Sequence, residues 1–226
     1  MPTSTRSKQP DVYAVLKNAI QFLEIMPGTI LREADLIQKI GCSRTPIREA
    51  LIRLADEYLV DIFPQRGTYV SQIDFNLANE VAYMRHLLDL DISLSLCKKK
   101  QGISHDLEQA LALMQVAVKN QSVVDYIKND NRFHHIIFKI AGHETIWNII
   151  ANSRAHYNRV LVLDLQRPGI LSKSYEEHLE IIRCIENGLE KELRAVLISH
   201  HDTEDTQNRA LEIRKAFPDY FPVEIF

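Results

Sequence analysis

The sequence predicts a mainly α-helical protein in two parts, a winged helix-turn-helix over residues 1–73 and an all-α bundle of six helices over residues 74–226. Three observations predict it. Proline is absent from residues 65–167, an interval dense in apolar residues at the 3.6-residue spacing of helices with one buried face. The seven glycines are scattered, each falling where such a run stops, as turn and cap positions do. Two short β-prone runs, residues 59–63 and 68–71, flank the turn-forming Pro64-Gln65-Arg66-Gly67 and read as a hairpin.

Taken in chain order, the first part begins with helices at about residues 11–25, 33–40 and 45–57. Gly41 ends the second. Thr45 is placed to cap the third, with Pro46 at its first helical position, where a missing N–H costs nothing. Ile47, Ala50, Leu51 and Leu54 follow the i, i+3, i+4, i+7 rule and face the core. The hairpin follows, and three helices plus a hairpin is the plan of a winged helix-turn-helix. The second part reads as helices 74–100, 104–119, 122–141, 144–165, 174–187 and 190–215, joined by short links.

Composition narrows the class. Among 226 residues, 46% are hydrophobic and 25% charged, the balance of a soluble globular chain with room for two cores. The first ten residues are polar, and no apolar stretch approaches the roughly 18 residues a spanning helix needs, so the expected location is the cytoplasm, away from membranes. Cys42, Cys97 and Cys184 stand singly, which supports neither a disulfide framework nor a thiolate cluster. The net charge of -3 divides unevenly: residues 1–73 carry nine Lys/Arg against eight Asp/Glu, the remainder eighteen against twenty-two. That asymmetry permits a nucleic-acid-binding N-terminal part without identifying one.

With the apolar face of the third helix turned inward, Arg44 and Arg48 project together from the other side near its N-terminus. A recognition helix needs this layout, because arginine pairs bidentately with guanine in the major groove while Thr45 and the helix N-terminus suit a phosphate. On spacing alone Arg44, Arg48 and Arg53 fit a solvated helix face better than a DNA contact. The hairpin tip shifts the balance: Arg66 can reach a minor groove, and Gly67 lets the backbone approach closely.

The run Ser43-Arg44-Thr45-Pro46-Ile47-Arg48-Glu49-Ala50-Leu51, with Leu54, Leu59-Val60, Pro64, Arg66-Gly67 and Val70, resembles the winged helix-turn-helix of GntR-family regulators nearly residue for residue. The resemblance implies that Arg44, Thr45, Arg48 and Gly67 contact operator DNA. One position departs from it: some family members carry a further DNA-contacting arginine where this chain has Ala34.

In the second part, polar groups interrupt apolar stripes. Ile127, Asp130, His134, Ile137 and Ala141 step by three and four residues; His178 leads Ile182, Ile185 and Leu189; His200 follows Leu193, Val196 and Leu197. One inward histidine is ordinary, but a carboxylate and three imidazoles aimed at one core must converge on something that satisfies them, and a divalent ion does so. His135 and His201 are adjacent alternatives one residue off their stripes. The order Asp130, His134, His178, His200 also resembles the metal-binding pattern of the FCD domain of FadR-like GntR regulators, and the two resemblances together cover roughly residues 11–205. The donors suit zinc first, with nickel and manganese as alternatives. In that family an effector carboxylate can complete the coordination, and Arg85, on the stripe Val81, Arg85, Leu88, Ile92, is placed to pair with such an anion or, alternatively, with an acidic neighbour. Leu88-Asp89 stands where many relatives have a glutamate.

The expected function is therefore a DNA-binding transcription regulator, a repressor, working as a homodimer on a pseudopalindromic operator and controlled by a small carboxylate metabolite bound over the metal. Two other readings compete: a metal-dependent enzyme of the helical part, which leaves the wing without a purpose, and a purely structural metal.

Overall fold

The computed structural model describes residues 11–201 and 206–222 of the chain. The described residues fall into two compact units, one of residues 11–73 with 219–222, the other of residues 74–218.

The first unit opens with α1 (Val12–Gln21), whose N-terminus is capped by the Asp11 side chain accepting from the Ala14 N–H at 3.3 Å, and which buries Val12, Leu16 and Ile20. This helix is shorter than the sequence suggests. Then come α2 (Glu33–Ile40), closed by Gly41 at φ 73°, and α3 (Arg44–Asp56), which buries Ile47, Ala50, Leu51 and Leu54 as its periodicity requires. The start of α3 differs from expectation. Ser43, extended at φ -75° and ψ 172°, is the cap residue and makes no side-chain cap bond, so Thr45 and Pro46 are the second and third helical residues. The shift is tolerated because none of the first four N–H groups of a helix has an intrahelical partner, and proline's missing donor costs nothing at any of them.

Strands β1 (Val60–Phe63) and β2 (Gly67–Val70) pair antiparallel with Val60 opposite Val70 and Phe63 opposite Gly67. Residues 28–31 run along the outer edge of β2: the Leu31 N–H donates to the Thr68 carbonyl at 2.8 Å and the Val70 N–H to that of Thr29 at 2.9 Å. This third rung protects an edge that would otherwise expose unpaired donors, and nothing in the periodicity of residues 28–31 announces it. At the far end of the unit the Ile73 N–H donates to the Tyr220 carbonyl at 2.7 Å, and Phe221 is buried.

The second unit is all helix: α4 (Phe75–Lys98), α5 (His105–Lys119), α6 (Val123–Ile140), α7 (Glu144–Ser153), α8 (Ala155–Leu165), α9 (Ile170–Asn187), α10 (Glu190–His201) and α11 (Thr206–Ala216). Side chains of Asp74, Ser104 and Ser122 cap α4, α5 and α6. One of the six expected helices is subdivided. The run 144–165 breaks at Arg154, whose φ -92° and ψ 14° end the helical ladder although no proline or glycine marks the place. The run 190–215 is described as α10 and α11, with residues 202–205 outside the described ones. Helix α9 begins four residues before the expected 174, directly after Gly169 at φ 82°. Helix α4 packs on α8, α9 and α10, and α6 lies against α5, α7 and α8, so inward faces of α4, α6, α9 and α10 share one core.

Cys42, Cys97 and Cys184 are free and buried. Among the described residues no helix is long and apolar enough to cross a membrane.

Candidate metal centre and DNA-binding face

Asp130 and His134 stand one turn apart on α6, His178 is on α9 and His200 on α10. The structure brings one ligand atom from each to within 4.8 Å of the others. Asp130 Oδ1 lies 3.0 Å from His178 Nε2 and 3.7 Å from His134 Nε2, and the two imidazole Nε2 atoms are 3.3 Å apart. Donors around one ion at the usual 2.0–2.2 Å bond length stand about 3–4 Å from one another, a range that the three spacings among Asp130, His134 and His178 match, with His200 within 4.8 Å.

What turns these nitrogens inward is a second ring of acceptors. His178 Nδ1 sits 2.7 Å from the Ser174 carbonyl, His200 Nδ1 3.1 Å from Glu177 Oε2, and His134 Nδ1 3.3 Å from Asp89 Oδ2. A carbonyl or carboxylate oxygen only accepts, so these contacts suit a proton on Nδ1 and turn the Nε2 atoms of His134 and His178 towards Asp130 Oδ1.

The electrostatics agree. Burial, with the nearby Arg85 cation, holds His134 well below the usual imidazole range, and burial beside His178 pulls His200 down to about 4. Burial pushes the Asp130 carboxyl up, but His134, His178 and Arg85 outweigh it and keep the group ionised. The cluster thus sets an ionised carboxylate beside two imidazoles, His134 and His200, that are held below the ordinary imidazole range, the direction that favours a cation over protons.

Arg85 is buried on α4. Its Nη2 donates to Asp89 Oδ2 at 3.2 Å and its Nη1 to the Tyr157 hydroxyl at 3.2 Å, while its Nε has no hydrogen-bond acceptor. The ion pair with an acidic neighbour, weighed as the alternative to an effector contact, is therefore present. Arg85 nonetheless lines a cavity of about 100 Å³ together with Tyr126, Asp130, Tyr157, Glu177 and His200. That is smaller than the ~150 Å³ that holds benzene, so any occupant is compact.

Of the two alternative histidines, His135 is half-exposed and pairs with Glu144 at 3.1 Å, while His201 points its Nε2 at Asp89 Oδ2, 3.1 Å away. Neither joins the donor set. The sequence reading passed over Asp89, Glu177 and Ser174 as supporting acceptors. Asp89 was findable, since it stands four residues after Arg85 on the stripe that continues to Ile92. Arg154 was missed as well: it is buried, with Nη2 4.0 Å from Asp130 Oδ2 and no hydrogen-bond acceptor for any guanidinium nitrogen, its Cζ lying 5.3 Å from the centre of the Trp147 ring. Burial and the Arg85 charge lower its pKa to about 10.

In the first unit, Arg44 and Arg48 project from α3 with side chains 63% and 59% exposed, and Thr45 beside them is exposed too. Both arginines meet one carboxylate, Glu33 at the start of α2. Arg53, farther along, instead stacks 3.6 Å above the Tyr13 ring. At the hairpin tip, Gln65 at φ 62° and Gly67 at φ 116° turn the chain, the Tyr69 hydroxyl donates to the Arg66 carbonyl at 3.1 Å, and Arg66 is exposed.

Comparison with known proteins agrees with both halves of this anatomy. Residues 8–70 match the family described as bacterial regulatory proteins, gntR family, and residues 80–203 match the FCD domain. The chain is 26% identical over 226 residues to the HTH-type transcriptional repressor RspR of Escherichia coli (strain K12), covering 99% of this chain and 96% of that protein. It is 28% identical over 192 residues to an HTH-type transcriptional regulator in an unstable DNA locus of Streptomyces ambofaciens, covering 82% and 78%. Among solved structures, E. coli McbR/YncC shares the fold with a TM-score of 0.70 at 19% identity, covering 91% of this chain and 96% of that one. The chain belongs to the gntR family of bacterial regulatory proteins, with an FCD domain as its second part, and is a transcription regulator rather than an enzyme.

Proposed function

We propose that this regulator is a repressor whose grip on its operator is set by a small carboxylate metabolite, bound over a divalent ion that Asp130, His134, His178 and His200 hold. The observation that carries the proposal is that His134 and His178 present Nε2 to one oxygen of Asp130, with a His200 nitrogen within 4.8 Å, while a separate acceptor faces the Nδ1 of each of the three imidazoles. Such anchoring would be idle if the histidines only filled a core, where either ring nitrogen serves. Zinc is the first choice, nickel and manganese the next, because one oxygen and three nitrogens suit all three.

When bound, the ion supplies a Lewis-acidic position for an effector carboxylate. The chain's own residues do the rest. The free Nε of Arg85 offers a charge-assisted donor from the cavity wall, while Tyr126, Tyr157 and Glu177 bound the remaining space and limit the ligand's size. In the first unit, Arg44 and Arg48 would read guanines in the major groove, Thr45 would bind phosphate, and Arg66 with Gly67 would enter the adjacent minor groove. A homodimer in the cytoplasm, presenting two such units to a pseudopalindrome, completes the reading. Repression is supported by the word carried in the name of the relative RspR.

The test has two arms. Metal analysis of protein purified without chelator, with calorimetric titration of zinc and of small carboxylates, should give one ion per chain and carboxylate binding that vanishes on metal removal. A mobility shift on the chain's own promoter region should show specific binding, lost in Arg44→Ala with metal content unchanged. Carboxylate affinity unaltered by metal removal would leave the ion a purely structural role. Specific binding retained by Arg44→Ala would remove the recognition helix from the reading.

A further inference from the structure

Glu33 is the first residue of α2, and its carboxylate bridges the two arginines of α3: Oε2 lies 3.1 Å from Arg44 Nε and Oε1 2.8 Å from Arg48 Nε. In each contact Nε is the nearest guanidinium atom. Among the described residues neither arginine makes a hydrogen bond from Nη1 or Nη2, which leaves the terminal forks open to pair with guanine O6 and N7. Both arginines are exposed and Glu33 is half-buried, and ion pairs so close to solvent add little to folding stability, so stability does not account for one carboxylate engaging two arginines.

We infer that Glu33 is a specificity-determining residue of DNA recognition, holding the Arg44 and Arg48 forks in a common orientation before DNA arrives and offsetting part of their charge. The inference rests on the reading of α3 as the recognition helix. Two consequences follow from elementary physics. Fixing two long side chains beforehand reduces the entropy lost when they dock on bases, which favours the correct sequence. A fixed negative charge between two positive ones weakens the sequence-independent attraction to phosphates, which disfavours every other sequence. Glu33 thus acts on the ratio of specific to non-specific binding more than on either alone.

The experiment measures full-length wild type, Glu33→Gln, Glu33→Asp, Arg44→Ala and Arg48→Ala by fluorescence anisotropy, on a duplex from the chain's own promoter region and on a scrambled duplex of equal length, at two salt concentrations. Glu33→Gln is expected to lose roughly three- to tenfold on the operator and to gain on the scrambled duplex, most at low salt, so that the ratio falls about tenfold or more. Glu33→Asp keeps the charge but is too short to span both Nε atoms, and should lose on the operator without gaining on the scrambled duplex. Thermal melting of both variants within a few degrees of wild type is expected. An unchanged ratio in Glu33→Gln, or an equal loss on both duplexes, overturns the inference. If the two arginine variants keep full operator affinity, the recognition-helix reading fails instead, and the two failures are told apart by that control.

Discussion

The Nδ1 atom of His134 on α6 lies 3.3 Å from Oδ2 of Asp89 on α4, joining the candidate metal centre to the helix that carries Arg85. The same oxygen accepts from Arg85 Nη2 at 3.2 Å, so one buried carboxylate orients a metal-facing imidazole and an arginine of the cavity wall together. Burial pushes this carboxyl up, and His134, Arg85 and His201 overcome it and keep Asp89 ionised.

Asp89→Asn therefore tests the supporting ring without touching a donor. The amide keeps the size but loses the charge that fixes the His134 tautomer. Zinc affinity, measured against a competing chelator, is expected to fall 10–100-fold, the usual effect of removing such a partner. Undiminished affinity would mean that His134 needs no help to face the centre.

Part of the pH dependence of the metal-free protein follows from His200, with His134 and His201 beside it, which burial likewise holds below the ordinary imidazole range. The folded pKa of His200 is depressed to about 4, chiefly by burial, against an ordinary imidazole value of 6.5. Between those values the unfolded chain binds the proton and the folded chain does not, so stability is fully present above about pH 6.5 and is lost as pH falls towards 4. A shift of that size corresponds to about 3 kcal/mol from this one residue. Urea melts of chelator-treated protein at pH 7 and pH 5 should show the midpoint falling, and His200→Gln should flatten the dependence. An equally steep dependence in the variant would assign it elsewhere.

Much of this was legible from spacing. Asp130 and His134 at i, i+4, and His178 and His200 as polar interruptions of apolar faces, place four donors on inward-facing stripes, and a stripe is what a helix preserves between sequence and structure. Acceptors that act across helices leave no such trace. Glu177 is the residue before His178, yet the imidazole it holds is His200 on another helix, at 3.1 Å. Arg154 sits where no proline or glycine announces a break, so neither the division of α7 from α8 nor its buried guanidinium could be read. The cap of α3 was misplaced by two residues, at Thr45 instead of Ser43, because both are good caps and Pro46 is acceptable at several first-turn positions.

Gly67 yields a prediction for the wing. A Cβ there would meet Ile30 Cδ1 at 3.5 Å, an ordinary contact, but the residue stands at φ 116°, where L side chains are strained. Gly67→Ala is thus expected to cost ~1–2 kcal/mol by backbone strain alone. Operator affinity should fall through the hairpin tip while zinc content is unchanged. A variant as stable as wild type would show that the tip relaxes freely to another turn.

Arg154 brings two opposing effects to one substitution. In the metal-free protein Asp130 is a buried anion, and the Arg154 guanidinium, 4.0 Å from its Oδ2, is part of what compensates it. Once a divalent cation occupies the cluster, that compensation is supplied by the ion, and the same guanidinium becomes a like charge a few ångströms away. Arg154→Met keeps the length and removes the charge, so the metal-free protein should lose stability while zinc binds more tightly. At an effective dielectric near 20, charges at this range interact by a few kcal/mol before relaxation, and about tenfold in affinity, ~1.4 kcal/mol, is a conservative expectation. The two signs make the experiment decisive: a variant that loses both stability and zinc affinity would show that Arg154 serves the centre by holding the packing around Asp130 and Trp147, and that its charge is secondary.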